Sequence, residues 1–219
     1  MNRKPFAWSY SALERFRNCP KQYYHVSVIK DVKDEDSSFA VDGRETHADL
    51  YNRVVRGIKL PINKRHLERI AAKFVGLPGD TTGELKFAVS RSFAPVEYFS
   101  RSVFLRVVVD LLNVRESQAL IVDWKTGRVR PGFEQLKITT GVLAAHLPEI
   151  DTFKLAYVWL REPTITTTTI LRGDLPAMWN EILPQVDKIE QAIAITNFPA
   201  TPSGLCAYCP VTSCPHNRK

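Results

Sequence analysis

Two apolar runs separated by a three-residue polar turn constrain this chain more than any other feature. Val103–Val114 (Val-Phe-Leu-Arg-Val-Val-Val-Asp-Leu-Leu-Asn-Val) and Gln118–Trp124 (Gln-Ala-Leu-Ile-Val-Asp-Trp) flank Arg115-Glu116-Ser117. β-Branched and apolar residues bounded by turn chemistry predict a β-hairpin. The runs are nearly continuous rather than alternating, so the sheet they enter is expected to be covered on both faces. Into this apolar hairpin the sequence sets Asp110, Asp123 and Lys125. Residues 123 and 125 share a face because strand side chains alternate, and in an antiparallel hairpin Asp110 can lie beside them. Two carboxylates and an ammonium in a covered sheet are costly unless a cation, a substrate or one another compensates them. Oxygen donors from two aspartates suit Mg2+ or Mn2+, and a neighbouring lysine can orient or deprotonate a polarised water. That chemistry fits phosphodiester hydrolysis. An ion-pair cluster without catalysis fits the same spacing.

The rest of the chain supplies the layers. Ser11-Ala-Leu-Glu14 reads as a capping box opening a helix that stops at Cys19-Pro20. Residues 31–38 form a polar loop. A second helix, from about Gly43 to Arg56, carries His47, Leu50, Tyr51, Val54 and Val55 on one stripe, which turns His47 inward. A third helix is expected near 63–75 and ends at Pro78-Gly79. A strand at 83–90, a helix at 132–147, a second hairpin from 153–161 and 164–171, and a final helix from about 175 to 196, capped by Asp174, complete the pattern. The expectation is one domain, with its core at about 40–172 and flanking elements at 9–25 and 197–219.

The flanking elements hold the four cysteines. Cys19 stands near the start, and Cys206, Cys209 and Cys214 form C-x2-C-x4-C near the end. Four thiols of this spacing can share a metal centre, and the spacing leaves zinc and an iron–sulfur cluster both open. A buried Cys19 beside a three-cysteine site completed by His216 is the competing arrangement. No run reaches the ~18 apolar residues of a membrane span, and Met1–Phe6 is basic without an apolar stretch, so a cytoplasmic protein with no membrane partner is expected. Thirty Lys and Arg against 23 Asp and Glu give a net charge of +7, which favours polyanionic partners.

Taken in order, these pieces resemble one family. Ser11-x-Leu13-x2-Phe16-x2-Cys19-Pro20-x2-Tyr23, Gly43-x3-His47, Glu84, Arg106-x3-Asp110, Ile121-Val122-Asp123-Trp124-Lys125-Thr126-Gly127, Gln135 and Cys206-x2-Cys209-Pro210-x3-Cys214 span residues 9 to 214. Together they are similar to the PD-(D/E)xK nucleases, and within them to the RecB-like branch with an iron–sulfur cluster. That branch includes CRISPR-associated RecB-type exonucleases, AddAB nuclease domains and phage-encoded relatives. The resemblance implies an α/β fold: a restriction-endonuclease-like core with a central mixed sheet flanked by helices, its N- and C-terminal segments joined by the metal cluster. It implies a metal-dependent DNA exonuclease in repair, recombination, phage DNA processing or CRISPR adaptation, acting on single strands or DNA ends. Recombination or CRISPR-adaptation proteins would be its partners, with oligomerisation open. A non-catalytic nucleic-acid-binding or assembly subunit keeping the fold and cluster is the alternative, and a zinc-stapled protein of unrelated function a third.

Residue by residue, the resemblance makes His47, Asp110 and Asp123 ligands of Mg2+ or Mn2+, with the Trp124 carbonyl as an extra one, and Lys125 the catalytic lysine. Glu84 orders the site or holds metal through water, and Gln135 supports the site or touches the scissile strand. Cys19, Cys206, Cys209 and Cys214 would carry a 4Fe-4S cluster, with Zn2+ as the alternative. Arg101, Arg106, Arg128 and Arg130 are candidates to hold the phosphate backbone, and Tyr23 and Tyr24 to stack on bases or to pack in the core. Four features depart from the family pattern: no proline precedes Asp110, Val107 stands where glycine is common, Thr139 where tyrosine is typical, and Glu45 where small residues are usual.

Overall fold

A computed structural model describes residues 6–33 and 38–218. Residues 34–37, half of the polar loop expected at 31–38, therefore lie outside the described residues. The chain divides into two compact units: Met1–Ala7 with Ser38–Met178, and Trp8–Ser37 with Trp179–Lys219.

The first unit is built on a six-stranded sheet of order β2-β1-β3-β4-β5-β6. Its strands are β1 (Asp80–Val89), β2 (Pro95–Val96), β3 (Leu105–Arg115), β4 (Gln118–Lys125), β5 (Thr152–Trp159) and β6 (Thr164–Leu171). The expected hairpin is present: β3 and β4 pair antiparallel from Arg115↔Gln118 to Leu111↔Val122. β4 and β5 pair parallel from Gln118↔Thr152 to Lys125↔Trp159. All other pairings are antiparallel, so the sheet is mixed. A parallel step needs a crossover, and α5 (Glu134–His146) supplies it.

The long helix α3 (Ser38–Val55) starts earlier than the expected Gly43. Its Leu50 and Val54 join Leu67, Ile70 and Phe74 in one core with the sheet residues Leu111, Val122, Trp124, Ala156 and Val158. Burying each such aliphatic side chain contributes about 1.5–3 kcal/mol. The helix expected at 63–75 is instead broken into a 3-10 turn (Ile62–Leu67), a single α turn, α4 (Glu68–Ala71), and another 3-10 turn (Ala72–Phe74). Two ion pairs tie this segment to α3: Lys64 Nζ lies 2.9 Å from Asp49 Oδ2, and Arg53 Nε donates to both Glu68 oxygens at 2.8 and 2.9 Å.

α5 is buried at Leu136 and from Ile138 to Ala144, as a core helix must be. Its buried hydroxyls turn back on the helix, Thr139 Oγ1 to Gln135 O at 2.9 Å and Thr140 Oγ1 to Leu136 O at 2.8 Å. Its C-terminus is closed by Arg172, whose guanidinium donates to the carbonyls of Ala144, Leu147 and Ile150 at 2.6–3.0 Å. Of these, Ala144 O is a last-turn carbonyl that Pro148, lacking an N–H, cannot satisfy, and the cation also complements the helix dipole. Asp174 Oδ2 accepts from Leu171 N at 2.9 Å, closing a 3-10 turn (Arg172–Asp174) ahead of α6 (Leu175–Ile195).

The second unit begins with α1 (Tyr10–Asn18) and α2 (Pro20–Tyr23), which runs on into a π-helical turn, Tyr24–Ile29. The helix start corrects the expected capping box. Ser9, not Ser11, is the cap, its hydroxyl accepting from Ala12 N at 3.3 Å. Trp8 and Leu13, the residues on either side of that first turn, are both buried, which is the pattern of a hydrophobic staple and sets the start two residues earlier. Glu14 pairs instead with Arg17 Nη1 at 2.9 Å. Among the described residues no helix is long and apolar enough to cross a membrane.

Candidate functional site

The site of the first unit forms where the sheet splits. The β3–β4 ladder ends at Leu111↔Val122, and the next residues in register are Asp110 and Asp123. Like charges directly opposite each other destabilise a ladder. Here the strands part: the Asp110 carboxylate takes the backbone N–H that follows, Trp124 N to Oδ2 at 2.8 Å. Beyond the split, β3 stays with β1 as far as Leu105↔Val89 and β4 stays with β5 as far as Lys125↔Trp159. The two carboxylates therefore sit at the head of an opening, each on a strand held firmly by its other neighbour.

Side chains from four elements meet there. His47 of α3 turns inward and places Nδ1 3.3 Å from Asp110 Oδ2. Lys125 Nζ lies 2.7 Å from Asp123 Oδ2. Gln135, at the start of α5, bridges them: its Oε1 accepts from Lys125 Nζ at 2.8 Å and its Nε2 donates to Asp123 Oδ1 at 2.8 Å. Asp123 Oδ2 is buried and makes no properly angled hydrogen bond despite the ammonium 2.7 Å away; the contact is one of charge, not direction. Burial pushes the Asp123 carboxyl up from 3.8 to about 6, against the pull of Lys125, with the Asp110 charge adding to the rise. Burial alone would lower the His47 imidazole, but its bond to Asp110 and the charges of Asp110, Asp123 and Glu84 outweigh it and hold it above 6.5.

Glu84 stands across from Asp110 in the β1–β3 register, between the pairs Gly83↔Leu111 and Leu85↔Val109. Its φ of 53° is left-handed, a conformation that costs a non-glycine residue about 1–2 kcal/mol. Partial burial and the Asp110 charge raise its carboxyl, while His47 and Lys86 oppose the rise. The neighbouring Gly83 has a packing reason. A Cβ there would stand 2.6 Å from Asp110 O and 2.7 Å from the Tyr51 ring of α3. Gly43 of α3 likewise faces Thr126, with 3.6 Å from a notional Cβ to Oγ1.

Sequence reasoning missed Tyr157 and Phe133. Tyr157 is the β5 partner of Asp123, and its ring centre is 5.1 Å from Lys125 Nζ. Phe133 stacks on the far ring at 5.4 Å. The signal was present as Tyr157-x-Trp159 running parallel to Asp123-x-Lys125, but only the parallel register gives it meaning.

Among the described residues no three His, Cys, Asp or Glu side chains form a ready-made metal group. The expected ligands His47, Asp110 and Asp123 instead satisfy one another and Lys125. A divalent cation entering here would compete with His47 for Asp110 Oδ2 and with Lys125 for Asp123 Oδ2. The donor set still suits a hard cation: two carboxylates, one with a buried oxygen lacking a directional bond. Of the candidate phosphate contacts, Arg101, Arg128 and Arg130 are exposed, while Arg106 is fixed by its Nε bond to Tyr98 O at 2.7 Å. Thr139, where tyrosine would be typical, is 4% exposed and bonded only to its own helix, so it offers no group to a substrate.

In the second unit the four cysteines are free thiols lining one cavity of about 190 Å3, with His216 in its wall. Backbone amides point at two of the sulfurs, Thr201 N to Cys19 Sγ at 3.5 Å and Ser203 N to Cys206 Sγ at 3.3 Å. Tyr23 is 4% exposed, edge-on to Phe16 at 5.5 Å and stacked on Phe198, with its phenol pushed up to about 12 by burial. The structure thus places it in the core, where no base can reach its ring. Tyr24 stacks on the same Phe198 at 4.6 Å.

A family model described as the PD-(D/E)XK nuclease superfamily matches residues 7–215. Among solved structures, that of SSO0001 superposes with a TM-score of 0.54 at 16% identity, covering 100% of this chain and 90% of that one. A chain named "putative exonuclease" from Eubacterium rectale superposes with a TM-score of 0.57 at 14% identity, covering 97% of this chain and 88% of the other. At these identities the likeness is one of fold. No curated protein sequence matches the chain.

Proposed function

The chain belongs to the PD-(D/E)XK nuclease superfamily, and from that premise we propose that it is a divalent-metal-dependent DNA exonuclease whose site is the opening between β3 and β4. The observation that carries the proposal is the Gln135 bridge. It holds Lys125 and Asp123 together within hydrogen-bond distance at the rim where Asp110 and His47 also meet. His47, Asp110, Asp123 and the Trp124 carbonyl would hold Mg2+ or Mn2+, which when bound polarises water and neutralises charge developing on the phosphate. The protein's own part is positioning. Asp110 is fixed by the Trp124 amide, so its carboxylate cannot swing away. Lys125 is held by Gln135 and the Tyr157 ring, close enough to the carboxylates to orient the attacking water and to steady the phosphorane's negative charge. Glu84 borders Asp110 and adds negative charge that favours cation entry. Exposed Arg101, Arg128 and Arg130 are assigned to the phosphate backbone. The exonuclease assignment rests on the name of the Eubacterium rectale relative and on the fold it shares.

The four cysteines line one cavity, and we infer from the family resemblance that they hold a 4Fe-4S cluster, with Zn2+ as the alternative. Amides aimed at Cys19 and Cys206 match the hydrogen bonding that tunes cluster sulfurs. Cys19, Cys206, Cys209 and Cys214 would hold the cluster as a brace within the second unit.

Digestion of end-labelled linear and circular DNA, single- and double-stranded, with Mg2+ or Mn2+ tests the function. The proposal expects metal-dependent loss of linear substrates with circles spared. Cleavage of circles would make the enzyme an endonuclease, and no cleavage of any substrate would leave the non-catalytic alternative.

A further inference from the structure

One exposed patch of the first unit is unexplained by the site itself. Phe99 is 81% exposed, in the loop between β2 and β3, yet this loop is well tied. Ser100 N donates to Glu97 O at 2.9 Å, Ser102 N to Ser100 Oγ at 3.2 Å, and Arg106 Nε to Tyr98 O at 2.7 Å. The ring is therefore held out in solvent rather than left there by a loose chain. Its neighbours are cations and a second ring. Tyr98 meets Phe99 edge-on at 5.0 Å. Lys86 Nζ lies 5.7 Å from the centre of Tyr98 and 5.9 Å from that of Phe99, and the Arg106 guanidinium lies 5.5 Å from Tyr98.

This patch is continuous with the site. Arg106, Val108 and Asp110 alternate along β3 on its less buried side, with Leu105, Val107 and Val109 buried between them. Lys86 is the register partner of Val108, itself 43% exposed. At ~3.4 Å per strand residue, Val108 stands about 7 Å and Arg106 about 14 Å from Asp110. That is about four stacked nucleotides at ~3.4 Å each. Aromatic rings interleaved with cations are what an unpaired strand requires: π-faces for bases and ammonium or guanidinium groups for phosphates. A duplex keeps its base faces to itself and has no use for an isolated ring.

We propose that Phe99, Tyr98, Lys86 and Arg106 form a stacking platform for an unpaired nucleic-acid strand, leading its phosphates to Asp110. The direction toward Asp110 rests on the nuclease reading; the binding of the strand does not. Phe99 takes a base on its open face, with Tyr98 fixed at its edge, and Lys86 and Arg106 take the flanking phosphates.

The test is binding of a labelled oligothymidylate of about 20 residues, longer than the ~4–16-nucleotide sites typical of such surfaces, to the full chain in EDTA, where no cleavage occurs. A blunt duplex of equal length is the control. Phe99→Ala is expected to weaken the single strand by about 5- to 150-fold, the loss of one stacked base, and the duplex by no more than about twofold. Phe99→Trp is expected to retain the wild-type affinity, with its indole fluorescence quenched by the strand, which excludes misfolding as the cause. Lys86→Ala is expected to lower the salt slope by about one. Equal affinity of Phe99→Ala and wild type, an equal loss on duplex, or no single-strand binding by wild type would each overturn the platform. Should the strand bind through Phe99 yet remain uncut in Mn2+, the nuclease reading falls and the platform stands. Cleavage with Phe99→Ala binding unchanged does the reverse.

Discussion

Replacing Gln135 probes how the lysine is held. Its amide makes two hydrogen bonds of 2.8 Å, one from the Lys125 ammonium and one to the Asp123 carboxylate. Bonds to charged groups contribute about 1.5–3 kcal/mol each. In Gln135→Ala the Lys125–Asp123 contact of 2.7 Å remains, so the lysine loses an anchor but not its neighbourhood. If one such bond is expressed fully at the transition state, kcat falls by about 10- to 150-fold at ~1.4 kcal/mol per decade, while KM, which reports strand binding elsewhere, stays within about threefold. Asp123, almost wholly buried, also loses its directed donor, which costs about 1–3 kcal/mol and lowers the melting temperature by roughly 2–10 °C. Gln135→Met keeps the volume and removes both bonds, and is expected to match the alanine variant in kcat. The assay is steady-state cleavage of end-labelled DNA at saturating Mn2+, beside a melting curve. A Gln135→Met enzyme as fast as wild type, or a loss confined to KM, would refute the reasoning.

Other outcomes follow from the same geometry. In the metal-free protein Asp123 and His47 both hold protons more tightly when folded. Their stabilisation is therefore complete at low pH and is lost as pH rises, through about 6 for Asp123 and above 6.5 for His47. Mn2+ replaces those protons, so the rise in melting temperature on adding Mn2+ is expected to grow between about pH 5 and pH 8; an increment independent of pH would count against both ligands. Gly83→Ala pushes a methyl against Asp110 O and the Tyr51 ring, 2.6 and 2.7 Å away, and is expected to cost about 1–3 kcal/mol and most of the activity. An unchanged melting curve would show that α3 and β1 are not so close. Anaerobically purified protein is expected to carry about four iron atoms per chain, which Cys209→Ser loses with the visible absorbance; a colourless protein with one zinc would overturn the cluster assignment.

Much of the fold was legible because periodicity reports burial. The His47 stripe and the β3–β4 hairpin follow from apolar spacing, and the structure has both. What escaped depends on relations between distant segments. Ser9 outcompetes Ser11 as a cap because Trp8 and Leu13 are both buried around that turn, which spacing of polar residues does not reveal. The segment 62–74 breaks into 3-10 and α turns where sequence pattern showed one helix; its ion pairs to α3 are made across the fold. At the site, the two aspartates and Lys125 could be placed on one rim from strand alternation. Tyr157 could not, since only the parallel β4–β5 register sets it beside Asp123. Glu84 was found through family pattern, and its left-handed backbone had no sequence signal, as glycine occupies the preceding position instead.

The proposed nuclease depends on the acids at the split sheet holding a divalent ion. Cleavage of end-labelled single-stranded DNA by wild type and Asp123→Asn, each titrated with Mn2+, tests it most directly. Wild type is expected to give Mn2+-dependent product and the folded variant none; equal product from both would remove Asp123 from the reaction.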